Sequence, residues 1–297
     1  MKKKNLILHV GLPKTGSTAL QTYLDSNREL LATKSFNYPK ERTKKGIPKH
    51  QSLVKGLNTN NHTKLKVYLK NNTKNNLILS TEGLTNHIYD FSSKSILEFR
   101  ETIKTYNVII VLVTRDFDSW VKSYYAQSVI NPRIKLSYNA TSLEIDEFKK
   151  HPRILQLANI TRLTKDLRKA FEVNDLIRIE YSNNLVKDFC KIFKIPYNKM
   201  NTRMINQSPK PWAIELIRQI NSFGTSEKER IRWKSTIQEF SQSNHSLMKD
   251  YLNDSNNQGE KLNKSILDKL VYNKKTSFCL EKRKLEKFKK FIYLNKK

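Results

Sequence analysis

The chain has 297 residues, of which 37% are hydrophobic and 10% aromatic, enough for a sizeable core and enough to exclude wholesale disorder. Lysine and arginine number 56 against 27 acidic residues, and the net charge of +29 points to an anionic partner or to compositional bias. Two cysteines, Cys190 and Cys279, exclude a disulfide-stapled scaffold and a cysteine-rich zinc site; free thiols in a reducing compartment are the simpler reading.

Lys2-Lys3-Lys4 ahead of Leu6-Ile7-Leu8 has the outline of a secretory leader, but His9 interrupts the apolar run and Gly11-Leu12-Pro13-Lys14 follows at once. The expectation is a soluble chain with no leader and no membrane anchor. Residues 5–10 read as a first strand, 11–16 as a turn, and Ser17 to Leu31 as a helix carrying Leu20, Tyr23, Leu24, Leu30 and Leu31 toward a core. Residues 32–61 read as irregular apart from a short helix over 50–57, and 62–71 as another helix. Residues 76–80 form a second strand and Ser95 to Tyr106 a helix. Val108 to Thr114 is the strongest strand, a continuous β-branched run suited to burial on both faces of a parallel sheet. Asp116 caps a helix from Phe117 to about Ile130.

Further on, helices are predicted over 143–150 and 153–170, a strand over 176–180, and a helix from Leu185 to Phe193. After Pro209-Lys210-Pro211 the pattern is helical throughout: about 212–221, 227–242, 246–254, 260–273 and 283–293. Alternating strands and helices predict an α/β fold, a three-layer αβα sandwich around a parallel sheet. Residues 1–210 form its core, and 211–297 a helical C-terminal region packed on the same domain.

The turn His9-Val10-Gly11-Leu12-Pro13-Lys14-Thr15-Gly16-Ser17-Thr18 lies between a strand and a helix, where backbone N–H groups and the helix N-terminus favour an anion. Glycines allow close wrapping, the hydroxyls of Thr15, Ser17 and Thr18 add donors, and Lys14 adds a mobile cation. The pattern approaches the nucleoside-triphosphate loop G-x-x-x-x-G-K-[ST], with Gly11 and Gly16 in place but serine at 17 and the lysine inside the loop. A second anion element follows the strongest strand. Arg115 leaves its carboxyl end and suits two-pronged contact with phosphate, and Ser123 lies about two turns into the next helix.

These two elements resemble those of the sulfotransferases that use 3'-phosphoadenylyl sulfate (PAPS). Pro13-Lys14-Thr15-Gly16-Ser17-Thr18 looks like that family's 5'-phosphosulfate loop. Arg115 to Tyr125 looks like its 3'-phosphate element, with Arg115 and Ser123 eight residues apart as in the family, though Phe117 stands where the family commonly has proline. Glu180-Tyr181 with Leu185 and Phe189, and Arg203 to Ser208, are weaker echoes. The resemblance spans roughly residues 5–210 and implies a P-loop-like phosphate loop, PAPS as co-substrate and no metal. No His/Cys/Asp cluster has metal-ligand spacing.

For sulfuryl transfer the protein must align donor and acceptor, stabilise the charged oxygens and take the acceptor proton. Glu82, which follows the second strand, is the expected base; Ser80-Thr81-Glu82 looks like the Ser-x-Glu segment of carbohydrate-acting members. His87 is the alternative base, as in phenol- and steroid-acting members. Lys14 is expected to support the donor side. His9 is expected to pack or hydrogen-bond; His50 and His62, ahead of the second strand, could line an acceptor cleft, and the simpler expectation for each is a surface histidine. The glutamate assignment and the lack of a long apolar pocket signature favour a carbohydrate acceptor; the lysine- and asparagine-rich texture looks like that of a low-GC bacterial sequence, so the expected acceptor is a carbohydrate or glycolipid of the cell envelope. The expected location is the cytoplasm, where Lys282, Arg283, Lys284, Lys287, Lys289 and Lys290 offer a contact to an anionic membrane or glycan. A nucleoside or small-molecule kinase is the competing enzyme reading, and the position of Lys14 argues against it. A nucleic-acid-binding protein is permitted by the charge, but no zinc finger, aromatic RNA-recognition motif or recognition helix supports it.

Overall fold

The computed structural model describes residues 3–132, 139–173, 175–198, 211–222, 226–228, 230–231 and 234–235. The description below concerns the unit Met1–Lys234. In chain order its elements are β1 Lys4–His9, α1 Ser17–Ser26, α2 Arg28–Thr33, β2 Phe36–Asn37, α3 Gln51–Thr59, α4 Thr63–Lys70, β3 Asn76–Ser80, α5 Gly83–Asn86, α6 Ser93–Ile103, β4 Tyr106–Thr114, α7 Phe117–Ile130, α8 Ile145–Lys149, α9 Pro152–Ala158, α10 Ile160–Phe171, β5 Asp175–Glu180, α11 Leu185–Ile192 and α12 Pro211–Ser222.

The five strands form one sheet in the order β2-β3-β1-β4-β5, and every pairing is parallel. It is a mixed α/β fold, a central parallel sheet flanked by helices. The four strands expected from the sequence are all members of it. β2 is an addition within a segment expected to be irregular. It is a two-residue edge strand, Phe36 and Asn37 opposite Asn76 and Leu77, too short to leave a periodic signal.

The apolar runs account for the sheet's position. Leu6, Leu8 and all four of Ile110, Val111, Leu112 and Val113 have 0% exposure, so both faces of β1 and β4 are covered. On one face Ile7, Ile78, Val111, Val113 and Ile179 pack with Leu20, Tyr23 and Leu24 of α1 and Leu185, Phe189 and Cys190 of α11. Each such Leu or Phe buried on folding contributes roughly 1.5–3 kcal/mol.

Two expected helices are broken by asparagine. Ser17 to Leu31 divides into α1 and α2 at Asn27, whose Nδ2 donates to the Tyr23 carbonyl at 2.8 Å. The segment 153–170 divides into α9 and α10 at Asn159, whose Oδ1 caps the Arg162 N–H at 3.0 Å. In both cases a short side chain competes for backbone groups that would otherwise continue the helix. Asp116 caps α7 as expected, accepting from the Ser119 N–H at 2.9 Å. Asn221 of α12 donates to the carbonyls of Val129 at 2.9 Å and Thr141 at 3.0 Å, fastening α12 to the end of α7. The helices expected over 246–254, 260–273 and 283–293 lie outside the described residues.

Candidate functional site

Because β1 has β3 on one side and β4 on the other, the strand order reverses direction at β1. In open parallel sheets such a reversal opens a crevice at the carboxyl ends of the strands. Four connections leave that edge: residues 10–16 after β1, Thr81-Glu82 after β3, Arg115 after β4 and Tyr181 after β5. The sheet pairing continues into them. The Leu12 N–H donates to Val113 O at 3.0 Å, the Thr81 N–H to His9 O at 3.0 Å and the Tyr181 N–H to Thr114 O at 2.7 Å. Arg115 therefore stands immediately after its strand, beside the β1 loop.

That loop turns through three residues with positive φ: Gly11 at 59°, Lys14 at 66° and Gly16 at 80°. For lysine this conformation costs roughly 1–2 kcal/mol. Three hydrogen bonds hold it. Thr15 Oγ1 donates to Leu12 O at 2.7 Å, Trp120 Nε1 to Pro13 O at 3.0 Å and Arg115 Nη1 to Lys14 O at 3.3 Å. Three successive carbonyls are thus committed to protein donors. The Val10 and Leu12 N–H groups are spent on β4 and Pro13 has none, so what the loop offers a ligand is the N–H groups of Lys14, Thr15 and Gly16, and those of Ser17 and Thr18, at the start of α1, have no acceptor within the helix. The helix begins on Gly16, which brings no capping side chain. Ser17 Oγ is buried and has no partner among the described residues.

The glycines are required here by space as well as by φ. A Cβ on Gly11 would lie 3.0 Å from Ser17 Oγ and 3.1 Å from Glu82 Cβ; one on Gly16 would lie 3.1 Å from both Leu185 Cδ2 and Tyr181 Cε2. The same contacts place Glu82 and Ser17 against Gly11, and Tyr181 and Leu185 of the β5–α11 region against Gly16. Thr15 departs from its expected part: it is fully buried and its hydroxyl proton is spent on Leu12 O, so it has no side-chain donor for a ligand. Pro13 is buried, and Thr18 is half-buried at the loop's end. Lys14 is half-buried, and its Nζ makes no hydrogen bond or ion pair among the described residues. Burial lowers its pKa, Arg115 lowers it further, and the nearby Glu82 carboxylate pulls it partly back.

Arg115 lies with its guanidinium carbon 4.7 Å from the centre of the Tyr181 ring. Its Nε donates to Ser119 Oγ at 2.7 Å, and that hydroxyl donates to Asp116. Ser119 was not singled out by the sequence reading. Ser123, which was, lies one helical turn further on and is half-buried. Among the described residues no hydrogen bond joins it to Arg115, which holds Ser119 Oγ and Lys14 O.

Glu82 is held from two directions. Lys49 Nζ lies 2.6 Å from Oε1, and Gln21 Nε2 donates to Oε2 at 3.2 Å. Burial raises the carboxyl pKa, but the charge and hydrogen bond of Lys49, the backbone and Gln21 together outweigh it, and the group stays below its ordinary value. Gln21 Nε2 also reaches Ser80 Oγ at 3.1 Å, which lies 2.7 Å from His9 Nδ1. Neither Lys49 nor Gln21 belongs to a recognisable motif. Lys49 comes from the segment expected to be irregular, and Gln21 from the first helix.

The histidines divide differently from expectation. His9 is fully buried, as a packing and hydrogen-bonding residue should be, and burial lowers its pKa to about 4 despite the opposing pull of Glu82. His50 and His62, expected at the surface, are 0% and 6% exposed. His50 fits inside because both ring nitrogens are satisfied in the neutral form. The Ser80 N–H donates to Nδ1 at 3.0 Å, and Nε2–H donates to Pro39 O at 3.0 Å. His62 packs edge-on against Phe99 and reaches Ser95 Oγ at 3.4 Å. His87 pairs its Nδ1 with Asp90 at 3.1 Å, and Asp90 also holds Arg153. The echo at Arg203 to Ser208 and the basic residues 282–290 lie outside the described residues.

Among the described residues no group of three His, Cys, Asp or Glu side chains is placed to hold a metal ion. No helix among them is long and apolar enough to cross a membrane. No protein-family profile, curated protein or solved structure matches the chain. Chemically, the strand ends bring together an N–H-rich loop, two cations with donors to spare and an ionised carboxylate beside them. Such a set can bind an anion and accept a proton next to it.

Proposed function

We propose that the chain is a PAPS-dependent sulfotransferase that moves a sulfuryl group to a hydroxyl of a carbohydrate or glycolipid acceptor. In this reading the fold is a three-layer αβα sandwich whose β1–α1 loop is a P-loop-like phosphate loop. The observation that carries the reading is the loop itself. Its Leu12, Pro13 and Lys14 carbonyls are tied away to Thr15, Trp120 and Arg115, and the N–H groups of residues 14–18 and the Ser17 hydroxyl, without a partner among the described residues, stand beside Lys14. Arg115, on the neighbouring strand end, supplies a second anion-binding point, as a nucleotide with phosphates at two separated positions requires.

The 5'-phosphosulfate is held by Pro13 to Thr18, with Thr15 contributing backbone only, and the 3'-phosphate by Arg115, with Ser123 on the helix that follows it. The acceptor oxygen attacks sulfur as the bond from sulfur to the bridging phosphate oxygen breaks. The acceptor proton passes to Glu82, and Lys14 offsets the charge on the departing oxygen. His87, engaged with Asp90, is the second choice of base. The reading carries with it a cytoplasmic location.

Calorimetric titration tests it. Adenosine 3',5'-bisphosphate, the desulfated product, should bind with one-to-one stoichiometry without Mg2+, and ATP should bind far more weakly. No binding of the bisphosphate at millimolar concentration would reject the reading. Tight ATP binding that needs Mg2+ would turn it toward a kinase.

A further inference from the structure

The segment between β2 and α3 has no regular structure, yet it is cross-braced along its length. The Tyr38 hydroxyl donates to Pro48 O at 2.7 Å, and His50 Nε2–H donates to Pro39 O at 3.0 Å. Glu41 accepts from the Ser52 N–H at 2.8 Å, from Ser52 Oγ at 2.6 Å and from Tyr68 Oη. A turn is closed by the Gly46 N–H on Thr43 O at 2.8 Å. The end of the segment is registered on β3, because the His50 N–H donates to Ser80 O at 2.9 Å while the Ser80 N–H donates to His50 Nδ1 at 3.0 Å. Ser80 lies two residues before Glu82. The residue before His50 is thereby delivered to Glu82, and that residue is Lys49.

We propose that Lys49 is the positioning residue of the acceptor side of this site, holding the Glu82 carboxylate ionised and in one orientation together with Gln21. The inference rests on the sulfuryl-transfer reading for its function, though not for its geometry. Lys49 Nζ is 2.6 Å from Oε1, and the two side chains are 19% and 25% exposed, so the pair is reachable from solvent. Oε2 is oriented by Gln21, which is 1% exposed and anchored on Ser80.

The other groups that act on Glu82 do not replace this. Lys14 approaches from the β1 loop, where a donor anion would claim its charge. His9 of β1 is held neutral by burial, and the Tyr38 phenol, whose pKa burial raises, is neutral too. An anion arriving in the loop pushes a neighbouring carboxyl toward its protonated form, in which it cannot take a proton. Lys49 is the cation in direct contact that opposes this.

The test uses the full chain with carbon-13-labelled glutamate, the Glu82 carboxyl signal being assigned through Glu82→Gln. Its titration is followed in the parent protein, Lys49→Met and Lys49→Arg, with and without adenosine 3',5'-bisphosphate. Lys49→Met should raise the midpoint by roughly 1–3 pH units, the effect of losing an opposite charge at contact. Lys49→Arg should keep it near the parent value. The bisphosphate should bind all three proteins within about threefold, since Lys49 is outside the phosphate loop. Release of radiolabelled sulfate from PAPS, with water as acceptor, should show its acid limb moved by the same interval in Lys49→Met alone. An unchanged midpoint in Lys49→Met, or an equal rise in Lys49→Arg, would overturn the proposal. Absence of bisphosphate binding in the parent protein would instead reject the sulfuryl-transfer reading, while the carboxyl titration still decides whether Lys49 governs Glu82.

Discussion

The indole of Trp120 donates through Nε1 to the carbonyl of Pro13 at 3.0 Å, tying the first turn of α7 to the loop after β1. Trp120 is 1% exposed and stacks on Tyr124 with ring centres 5.3 Å apart. A tryptophan in a helix would ordinarily be read as core, yet here it is also the clamp of the loop. Trp120→Phe keeps most of the packing and leaves the Pro13 carbonyl unpaired, which costs roughly 1–3 kcal/mol. The variant should melt several degrees lower and bind adenosine 3',5'-bisphosphate more weakly. Thermal melts and calorimetry on the same sample check both, and unchanged ligand affinity would show that the clamp does not shape the loop.

Gly16→Ala should be more damaging than its size suggests. The added methyl meets Tyr181 and Leu185 at 3.1 Å and stands at φ 80°. The strained backbone alone costs roughly 1–2 kcal/mol. Either the loop or the Tyr181 ring must shift, and Tyr181 is the platform under Arg115. Nucleotide affinity should therefore fall by more than tenfold, measured by calorimetry alongside a melting curve that shows the protein still folded.

Arg115→Ala should weaken adenosine 3',5'-bisphosphate more than adenosine 5'-phosphate, because only the first carries the phosphate assigned to it. Arg115→Lys should recover little, since a lysine cannot hold Ser119, the Lys14 carbonyl and a phosphate from one planar group. Equal losses for the two nucleotides would remove Arg115 from that role.

Glu82→Gln should bind the bisphosphate as the parent does and lose roughly 10²–10⁴ in turnover, the usual contribution of a general base. His87→Ala should be mild. A radiolabelled-PAPS screen against envelope glycans and glycolipids, with simple phenols as controls, supplies the acceptor for this comparison. Full turnover in Glu82→Gln beside an inactive His87→Ala would exchange the two assignments.

The buried histidines predict acid sensitivity. Burial brings His9 and His50 to about 4, below the ordinary 6.5 they regain when unfolded. Between these values the unfolded chain binds more protons than the native one, so stability increases with pH. The contribution is fully present above about pH 6.5 and is lost as pH falls toward 4, on the order of 3 kcal/mol for each histidine. Urea unfolding midpoints should drop steadily from pH 7 to pH 4.5, and His50→Gln should flatten part of that slope. A midpoint independent of pH across this interval would contradict the buried neutral assignment.

What the sequence determined by itself was everything written in local pattern. The strands over 5–10, 76–80, 108–114 and 176–180 were legible because continuous apolar runs bounded by turn residues suit a sheet covered on both faces. The helix from Phe117 to Ile130 was legible because Asp116 announces its start. The loop was legible because Gly11 and Gly16, with Lys14 between them, stand at a strand-to-helix junction; that Lys14 itself takes a positive φ was not. The tertiary structure alone decided which side chains surround it. Lys49 reaches Glu82 across 33 residues of chain and Trp120 reaches Pro13 across 107, distances over which no periodicity carries information. Thr15 lost its hydroxyl to Leu12, Arg115 found Ser119 and Tyr181, and His50 and His62 were drawn inside. The outcomes share a cause: a polar group takes the donor or acceptor that packing brings near, and packing is settled by the whole fold rather than by neighbours in sequence.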